Sequence, residues 1–237
     1  MQAKTVLYHR EENVGIITLN RPHRLNALTG ELLKSFMEIL DDARRDKEAA
    51  VIILTGAGKS FCSGEDLKET AEGKSAETWM DEAERLQDVQ RYTLKLDKPL
   101  IGAVKGYAVG GGCEIAMSCD IRIAAESAVF GFPETGVGLT VTNAGTKLLT
   151  HLVGLGKAKQ LIFTGEFIDA NEACKIGLAN KVVPDDALMD DALSMAQKIA
   201  QRSPMALRLS RIAIDQGMSA SFEEILELEA SHLLTCT

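Results

Sequence analysis

Three consecutive glycines, at residues 110–112, separate two apolar runs of different kinds. Residues 100–104 are typical of a buried strand, and residues 113–118 form an apolar run without helix breakers, which is typical of a buried helix. The sequence therefore predicts a strand-to-helix junction with glycine at the turn. The first amides of a helix lack partners within it and carry partial positive charge, so this junction favours an anion or an oxygen that is becoming one. A purely structural interpretation, in which the glycines only allow close packing, is equally open at this point.

Two glutamates near this junction are candidates for chemistry. Glu114 lies in the first turn of the predicted helix and has apolar neighbours, and a carboxylate bordered by core residues is uncommon unless it is paired or used. Glu134 follows a proline at the end of a predicted strand and precedes a glycine-rich loop. From position alone, a solvated glutamate in a turn is the favoured interpretation of Glu134.

Composition excludes several classes of protein. The 237 residues are 46% hydrophobic and 25% charged, which is ordinary for a globular protein. The net charge of -8 and the lack of a basic cluster argue against a nucleic-acid partner. No apolar run approaches the ~20 residues of a membrane span, and the N-terminus lacks the hydrophobic core of a signal peptide. We therefore expect no membrane partner and a cytoplasmic location, or an organelle matrix if a targeting peptide has been removed.

Metal, disulfide and nucleotide sites are not indicated either. The five cysteines are odd in number and contain no Cys-x-x-Cys spacing, and the four histidines are scattered. Residues 58–60 read Gly-Lys-Ser, but the phosphate-binding loop needs a glycine where Ile53 stands. Neither glycine cluster has the spacing of a dinucleotide fingerprint. We expect no metal and no redox cofactor.

The rest of the chain alternates short strands with helices and ends in helices. Strands are predicted at residues 5–8, 14–19, 51–54, 121–124 and 129–132, the first two forming a hairpin. Helices are predicted after Thr29, within residues 68–90, after Asp169, from Ser203-Pro204 and after Ser221. We predict a core at residues 1–185 and a helical segment at residues 186–237 that belongs to the same functional unit.

Four segments in order resemble one known family. They are residues 20–28, residues 61–67, residues 110–114 and residues 130–134. Together they resemble the N-terminal signature, the two oxyanion segments and the second acid segment of the enoyl-CoA hydratase/isomerase (crotonase) superfamily, and the likeness covers essentially the whole chain. The resemblance implies an α/β fold, a crotonase-like spiral of repeated ββα units with a C-terminal helical segment for oligomerisation. It also implies a homotrimer or a homohexamer.

The resemblance further implies how an acyl-CoA would be held. The backbone N–H groups of Ser63 and Gly111 would bind the thioester oxygen, and Glu114 and Glu134 would flank the reacting carbons. The substrate and its CoA would also contact a set of residues from the first two segments: Arg24, Leu25, Gly64, Glu65, Asp66 and Leu67. Coenzyme A is then part of the substrate, and no separate cofactor or metal is expected.

The implied reaction is hydration of a 2-enoyl-CoA to a 3-hydroxyacyl-CoA, because both acids are usual in hydratases of this family whereas many isomerases keep one. Alternatives on the same fold are an acyl-CoA double-bond isomerase and a hydratase or hydrolase for cyclic or branched acyl groups. An alternative of another class is a non-catalytic relative that binds CoA or RNA. Residues 137–146 depart from the loop that is common in hydratases, which leaves the acyl group open.

Overall fold

The structure, a computed structural model, describes residues 4–66 and 75–236. The strands in these ranges are β1 (Val6–Glu11), β2 (Val14–Leu19), β3 (Val51–Gly56), β4 (Leu100–Val104), β5 (Tyr107–Val109), β6 (Ile121–Ala125), β7 (Val129–Gly131), β8 (Phe167–Asp169) and β9 (Lys181–Val183). The helices are α1 (Gly30–Arg45), α2 (Ala76–Leu94), α3 (Gly111–Met117), α4 (Gly145–Val153), α5 (Leu155–Thr164), α6 (Ala170–Lys175), α7 (Leu188–Ala200), α8 (Pro204–Gly217) and α9 (Phe222–Cys236).

Six strands form a large sheet in the order β1-β2-β3-β4-β6-β9. The β1–β2 hairpin is antiparallel, and every other neighbouring pair is parallel. Every residue of β3 and β4 is buried, which explains why these strands appear in the sequence as continuous apolar runs rather than as alternating patterns.

A smaller sheet stands beside the large one in the order β5-β7-β8. The chain passes from β4 to β5 and from β6 to β7, so consecutive strands belong to different sheets. After β3, Cys62 pairs with Ala108 of β5 and repeats the same step. The three turns that begin at β3, β4 and β6 thus each pair with the large sheet and then with the small sheet before a helix, which is the repeated ββα pattern expected from the sequence.

The sheets bury two apolar layers. The larger layer includes Phe36 and Leu40 of α1, Leu86 of α2 and Ile115 of α3. The second layer lies between the large sheet and α7, whose buried residues are Leu188, Ala192 and Ala196. By packing, α7 therefore belongs with the sheets, whereas α8 and α9 bury none of their described side chains. The predicted division between a core and a helical segment at residue 186 stays a prediction. In the structure, packing against the sheets ends after α7.

Local sequence signals explain where several helices begin. The Thr29 side chain accepts a hydrogen bond from the Leu32 amide at the start of α1. Asp169 and Ser203 make the same kind of cap for α6 and α8. These caps agree with the predicted helix starts, because short polar side chains satisfy amides that the first helical turn leaves without partners.

Three local predictions need correction. The glycine turn joins β5, rather than β4, to α3, because a three-residue strand of the small sheet intervenes, and α3 already begins at Gly111. Strand β1 extends to Glu11, because an exposed edge strand tolerates polar residues. The polar segment predicted at residues 68–90 is helical from Ala76 onward, and residues 67–74 lie outside the described residues.

Among the described residues, no helix has the length and apolar character needed to cross a membrane. The expectations of a cytoplasmic location and of no nucleic-acid partner stay predictions.

Candidate active site

One cavity of about 1070 Å³ collects most of the residues that the sequence singled out. Its walls come from the loop after β2, the segment after β3, helix α2, the β5–α3 turn and the loop between β7 and α4. The predicted site residues in its lining are Arg24, Leu25, Ser63, Gly64, Glu65, Asp66, Gly111, Glu114 and Glu134. Leu67 lies outside the described residues.

Glycine is required where the two central segments approach each other. Gly110 has φ 55 and ψ -129, a conformation that side chains disfavour. A β-carbon at Gly112 would lie 2.3 Å from the Cys62 carbonyl oxygen, and one at Gly64 would lie 2.8 Å from the Val109 oxygen. Close packing therefore requires these glycines, and the same packing brings the first turn of α3 to the cavity wall.

The amide of Ser63 is already engaged. It donates a hydrogen bond to the Leu25 carbonyl oxygen at 3.0 Å, which fastens the loop after β2 to the segment after β3. A substrate oxygen would have to break this bond in order to use the amide. The prediction that Ser63 supplies an oxyanion donor is therefore wrong.

The amide of Glu65 has a more suitable direction. Leu28 donates to the Gly64 oxygen at 2.8 Å and accepts from the Asp66 amide at 3.0 Å, which is parallel pairing centred on Glu65. In such pairing the N–H of the central residue points to the opposite edge of its strand. Glu65 and Gly111, the first residue of α3, both line the cavity.

A buried asparagine that the sequence analysis missed holds the loop after β2. Asn26 is 0% exposed, and its side-chain oxygen accepts from the Arg21 amide at 2.8 Å. Its side-chain nitrogen donates to the carbonyl oxygens of Ala57 and Ser60 at 3.0 and 2.8 Å. The available signal was an asparagine in a turn, and Asn26 indeed has a left-handed φ of 57.

The same loop is tied to the segment after β3 by charge. Arg21 forms an ion pair with Asp66 at 3.2 Å, with both side chains largely buried, and also donates to the Ala27 oxygen at 2.6 Å. Arg24 and Leu25 are exposed at the cavity wall beyond this pair. Through this ion pair, Asp66 therefore helps to hold the loop after β2 in place.

Glu114 is enclosed by protein and is 2% exposed. Its Oε1 accepts from the amides of Asn143 at 2.7 Å and Gly145 at 3.1 Å. Ala144 between them has a left-handed φ of 59, so residues 143–145 form a nest of amides around the carboxylate. Burial raises the pKa of Glu114 to about 7, and the Glu134 charge adds to the rise while the amides oppose it.

Glu134 lies in the 3-10 turn Pro133–Val137 and is half-buried. Its Oε2 is buried and finds no hydrogen-bond partner in the part of the chain that the structure describes. Burial raises the pKa of this carboxyl group, and the charge of Glu65 adds to the rise. The interpretation of Glu134 as a solvated turn residue is therefore wrong.

This arrangement suits proton transfer beside an oxygen that becomes negative. Two carboxyl groups with raised pKa values border one cavity, so one can hold a proton near neutral pH while the other accepts one. The backbone amides at the start of α3 and at Glu65 border the same space. Within residues 4–66 and 75–236, no group of three or more His, Cys, Asp or Glu residues is placed to hold a metal ion.

Comparisons with known proteins show the family. A family model described as enoyl-CoA hydratase/isomerase matches residues 9–236. The short-chain-enoyl-CoA hydratase of Clostridium acetobutylicum is 44% identical over 237 residues, which are 100% of this chain and 90% of that protein. The crotonyl-CoA hydratase of Syntrophomonas wolfei is 38% identical over 237 residues, which are 100% of this chain and 91% of that protein.

A solved structure extends the likeness to the fold. The enoyl-CoA hydratase from Bacillus anthracis superposes with a TM-score of 0.93 at 38% identity, covering 97% of this chain and 89% of that one. The crotonase fold and the family resemblance predicted from the sequence are therefore confirmed.

The nest around Glu114 predicts a specific effect of adding a methyl group. A β-carbon at Gly145 would lie 2.6 Å from Glu114 Oε1 and 2.5 Å from a Val141 methyl, so Gly145→Ala should lower the free energy of unfolding by about 1–3 kcal/mol. The matched control is Gly156→Ala, where a β-carbon would meet no described atom within 4 Å apart from its chain neighbours and its own helix backbone. There, helix propensity should raise the free energy of unfolding by about 0.5–1 kcal/mol. Urea unfolding measures the free energy of unfolding of both variants. Equal changes in the two variants would refute the crowding argument.

Burial of Glu114 predicts a pH dependence of stability. Because the pKa rises from 4.5 to about 7 on folding, the native state binds more protons than the unfolded state in this window. The parent should therefore lose stability as pH rises from about 4.5 to about 7, by about 3 kcal/mol in all. Glu114→Gln lacks this titration, so its stability relative to the parent should increase over the same window. If the stabilities of the parent and of Glu114→Gln change equally with pH, the pKa of Glu114 is not raised by folding.

Proposed function

The chain belongs to the enoyl-CoA hydratase/isomerase family, and from this we propose that it hydrates a 2-enoyl-CoA to a 3-hydroxyacyl-CoA. The observation that supports this reaction best is the pair Glu114 and Glu134, two carboxyl groups with raised pKa values on one cavity. Hydration moves two protons, one from water and one to the α-carbon, and two carboxyl groups can divide that work.

We propose that the backbone amides of Gly111 and Glu65 bind the thioester oxygen. Negative charge develops on this oxygen as water adds to the β-carbon, and one such donor is typically worth about 2.7–4 kcal/mol of transition-state stabilisation. The glycine turn and the parallel pairing of Leu28 with Glu65 support these two donors, since they direct both segments toward the same space.

The proton transfers follow from the shared cavity. In the proposed step, the water oxygen bonds to the β-carbon while an ionised glutamate takes the water proton. The π electrons move toward the thioester oxygen, and the other glutamate delivers its proton to the α-carbon. Like charges in a closed site resist both being ionised, so the pair titrates as a unit and can hold one proton between them.

Isomerisation is the second candidate on this fold, because the family includes isomerases. An isomerase moves a proton between carbons and needs no attacking water, so a single carboxyl group can serve. The two relatives with the identities given above are named as hydratases, and both Glu114 and Glu134 border the cavity. These observations favour hydration.

The relatives' names also guide the choice of acyl group. Because they are named for short-chain enoyl-CoA and crotonyl-CoA, we propose a short acyl chain for this protein as well. The CoA moiety would cross the cavity wall beside Arg24, whose positive charge suits a phosphate. Coenzyme A would be part of the substrate, and we propose that no other cofactor is needed.

A substrate panel tests this function. Straight, branched and cyclic enoyl-CoAs are incubated with the protein in the presence of a chelator, and the conjugated thioester absorbance and the product mass are followed. We expect a gain of one water, fastest with crotonyl-CoA. Unchanged mass with altered absorbance would select the isomerase, free CoA would select a hydrolase, and no reaction would favour a non-catalytic relative. A requirement for added metal would contradict the absence of a cofactor.

The two glutamates should act as a unit. Glu114→Gln and Glu134→Gln should each lower kcat by about 10²-fold or more, because positioned acid-base groups typically contribute 10²–10⁴-fold. The KM should change little, since the proposed binding groups are backbone amides. The double variant should lose less than the product of the single effects, as steady-state kinetics with crotonyl-CoA would measure. Near-normal hydration by Glu114→Gln would replace this mechanism with the one-acid isomerase.

We also propose that the protein assembles as a trimer or a hexamer through its last two helices. Helices α8 and α9 pack on each other and expose apolar side chains, among them Ile214, Phe222 and Leu233, at 71%, 82% and 66% exposure. Analytical ultracentrifugation should show a trimer or hexamer at micromolar concentration. Phe222→Glu should shift the sedimenting species from the oligomer toward the monomer. A parent protein that sediments as a monomer would contradict the proposal.

A further inference from the structure

The loop that connects the two glutamates carries a polar side chain with no assigned task. This loop runs from Glu134 to the nest at residues 143–145 that holds Glu114, and Thr142 is its last residue before the nest. Thr142 lines the cavity and is half-buried. The amide of Thr142 also helps to stabilise the Glu114 carboxylate. Thr142 therefore lies next to one of the two carboxyl groups and borders the same space.

The backbone of Thr142 is fixed, whereas its hydroxyl is available. The Thr142 carbonyl oxygen accepts a hydrogen bond from the Gln87 side chain at 3.4 Å, which ties the loop to α2. Within residues 4–66 and 75–236, the Thr142 hydroxyl forms no hydrogen bond. A threonine hydroxyl can donate one hydrogen bond and accept two. An anchored residue thus presents an unused donor at the cavity.

Both carboxyl groups line the cavity. The amides of Asn143 and Gly145 bind Oε1 of Glu114, and Oε2 of Glu134 is buried without a partner among the described residues. A water molecule between the two carboxyl groups can direct one hydrogen to each. One of its lone pairs then faces the β-carbon, and the other still needs a donor because water takes part in up to four hydrogen bonds.

We propose that the Thr142 hydroxyl donates this last hydrogen bond and holds the attacking water, which makes Thr142 a catalytic residue for hydration. This inference rests on the proposed function. In the step, the water oxygen forms the bond to the β-carbon and loses one proton to the ionised glutamate. The Thr142 proton stays on Thr142, so the hydroxyl orients the water and is not consumed.

This role predicts a loss that is specific to reactions of water. The α-proton of a saturated acyl-CoA can exchange with solvent through a glutamate and the oxyanion donors, without any attacking water. Removing the Thr142 hydroxyl should therefore impair hydration and leave α-proton exchange intact. A change that merely loosened the loop would move Glu114 and impair both reactions.

The test compares three variants on two reactions. Thr142→Val removes the hydroxyl at nearly constant shape, Thr142→Ser keeps it, and Thr140→Val removes a hydroxyl from another residue of the same loop and cavity wall. Crotonyl-CoA hydration gives kcat and KM, and NMR of butyryl-CoA in D2O gives the exchange rate. We expect Thr142→Val to lower kcat for hydration about 10-fold or more, with KM and exchange within about twofold of the parent. Thr142→Ser and Thr140→Val should stay near the parent in both.

Other outcomes overturn the inference. Unchanged hydration by Thr142→Val would show that its hydroxyl does not hold the water, and an equal loss of hydration and exchange would make its role structural. An equal loss of hydration in Thr140→Val would remove the specificity for Thr142. If the parent itself adds no water to crotonyl-CoA, the proposed function is wrong. The parent alone shows this, without the variants.

Discussion

The site depends on the hydrogen bonds that two backbone amides, those of Asn143 and Gly145, donate to the buried carboxyl group of Glu114. An ionised carboxylate without such donors would be costly at 2% exposure, and with them it can exist in both protonation states near neutral pH. The amides need Ala144 in a left-handed conformation and leave no room for a β-carbon at Gly145. The structure of the loop before α4 is therefore set by the chemistry of a residue on α3.

Close approach of two segments supplies the other half of the site. Gly112 lets α3 begin against the Cys62 carbonyl, and Gly64 lets the facing chain turn beside Val109. This contact brings the amide of Gly111 to the same space as the amide of Glu65. Backbone donors fixed in this way need little reorganisation as charge develops, which is the basis of their contribution to catalysis. The two sheets hold these segments, because one follows β3 of the large sheet and the other follows β5 of the small sheet.

Patterns of sequence and residue types were enough to predict most of the strands, several capped helices and the family, and to single out two glutamates as candidates. The short strands β5, β8 and β9 were not predicted. Which backbone amide binds the thioester oxygen was harder to predict from the sequence. Every residue other than proline has an N–H group, and the direction of that group depends on strand pairing. The prediction of Ser63 was wrong for that reason, since its amide donates to the Leu25 carbonyl oxygen. Asn26 and Thr142 were missed because their importance follows from burial and from neighbours distant in sequence. Glu134 needed the tertiary structure too, since its burial comes from the surrounding fold.

We propose that two backbone amides polarise a thioester oxygen beside two carboxyl groups. The most direct measurement of this polarisation is the infrared carbonyl frequency of bound butyryl-CoA, labelled with ¹³C at the thioester carbon and compared with the unlabelled complex. Two donors aimed at the oxygen should weaken the carbonyl bond, so we expect the band to move to lower frequency than that of the free thioester in water. An unchanged band, or a shift to higher frequency as in an apolar pocket, would contradict the account.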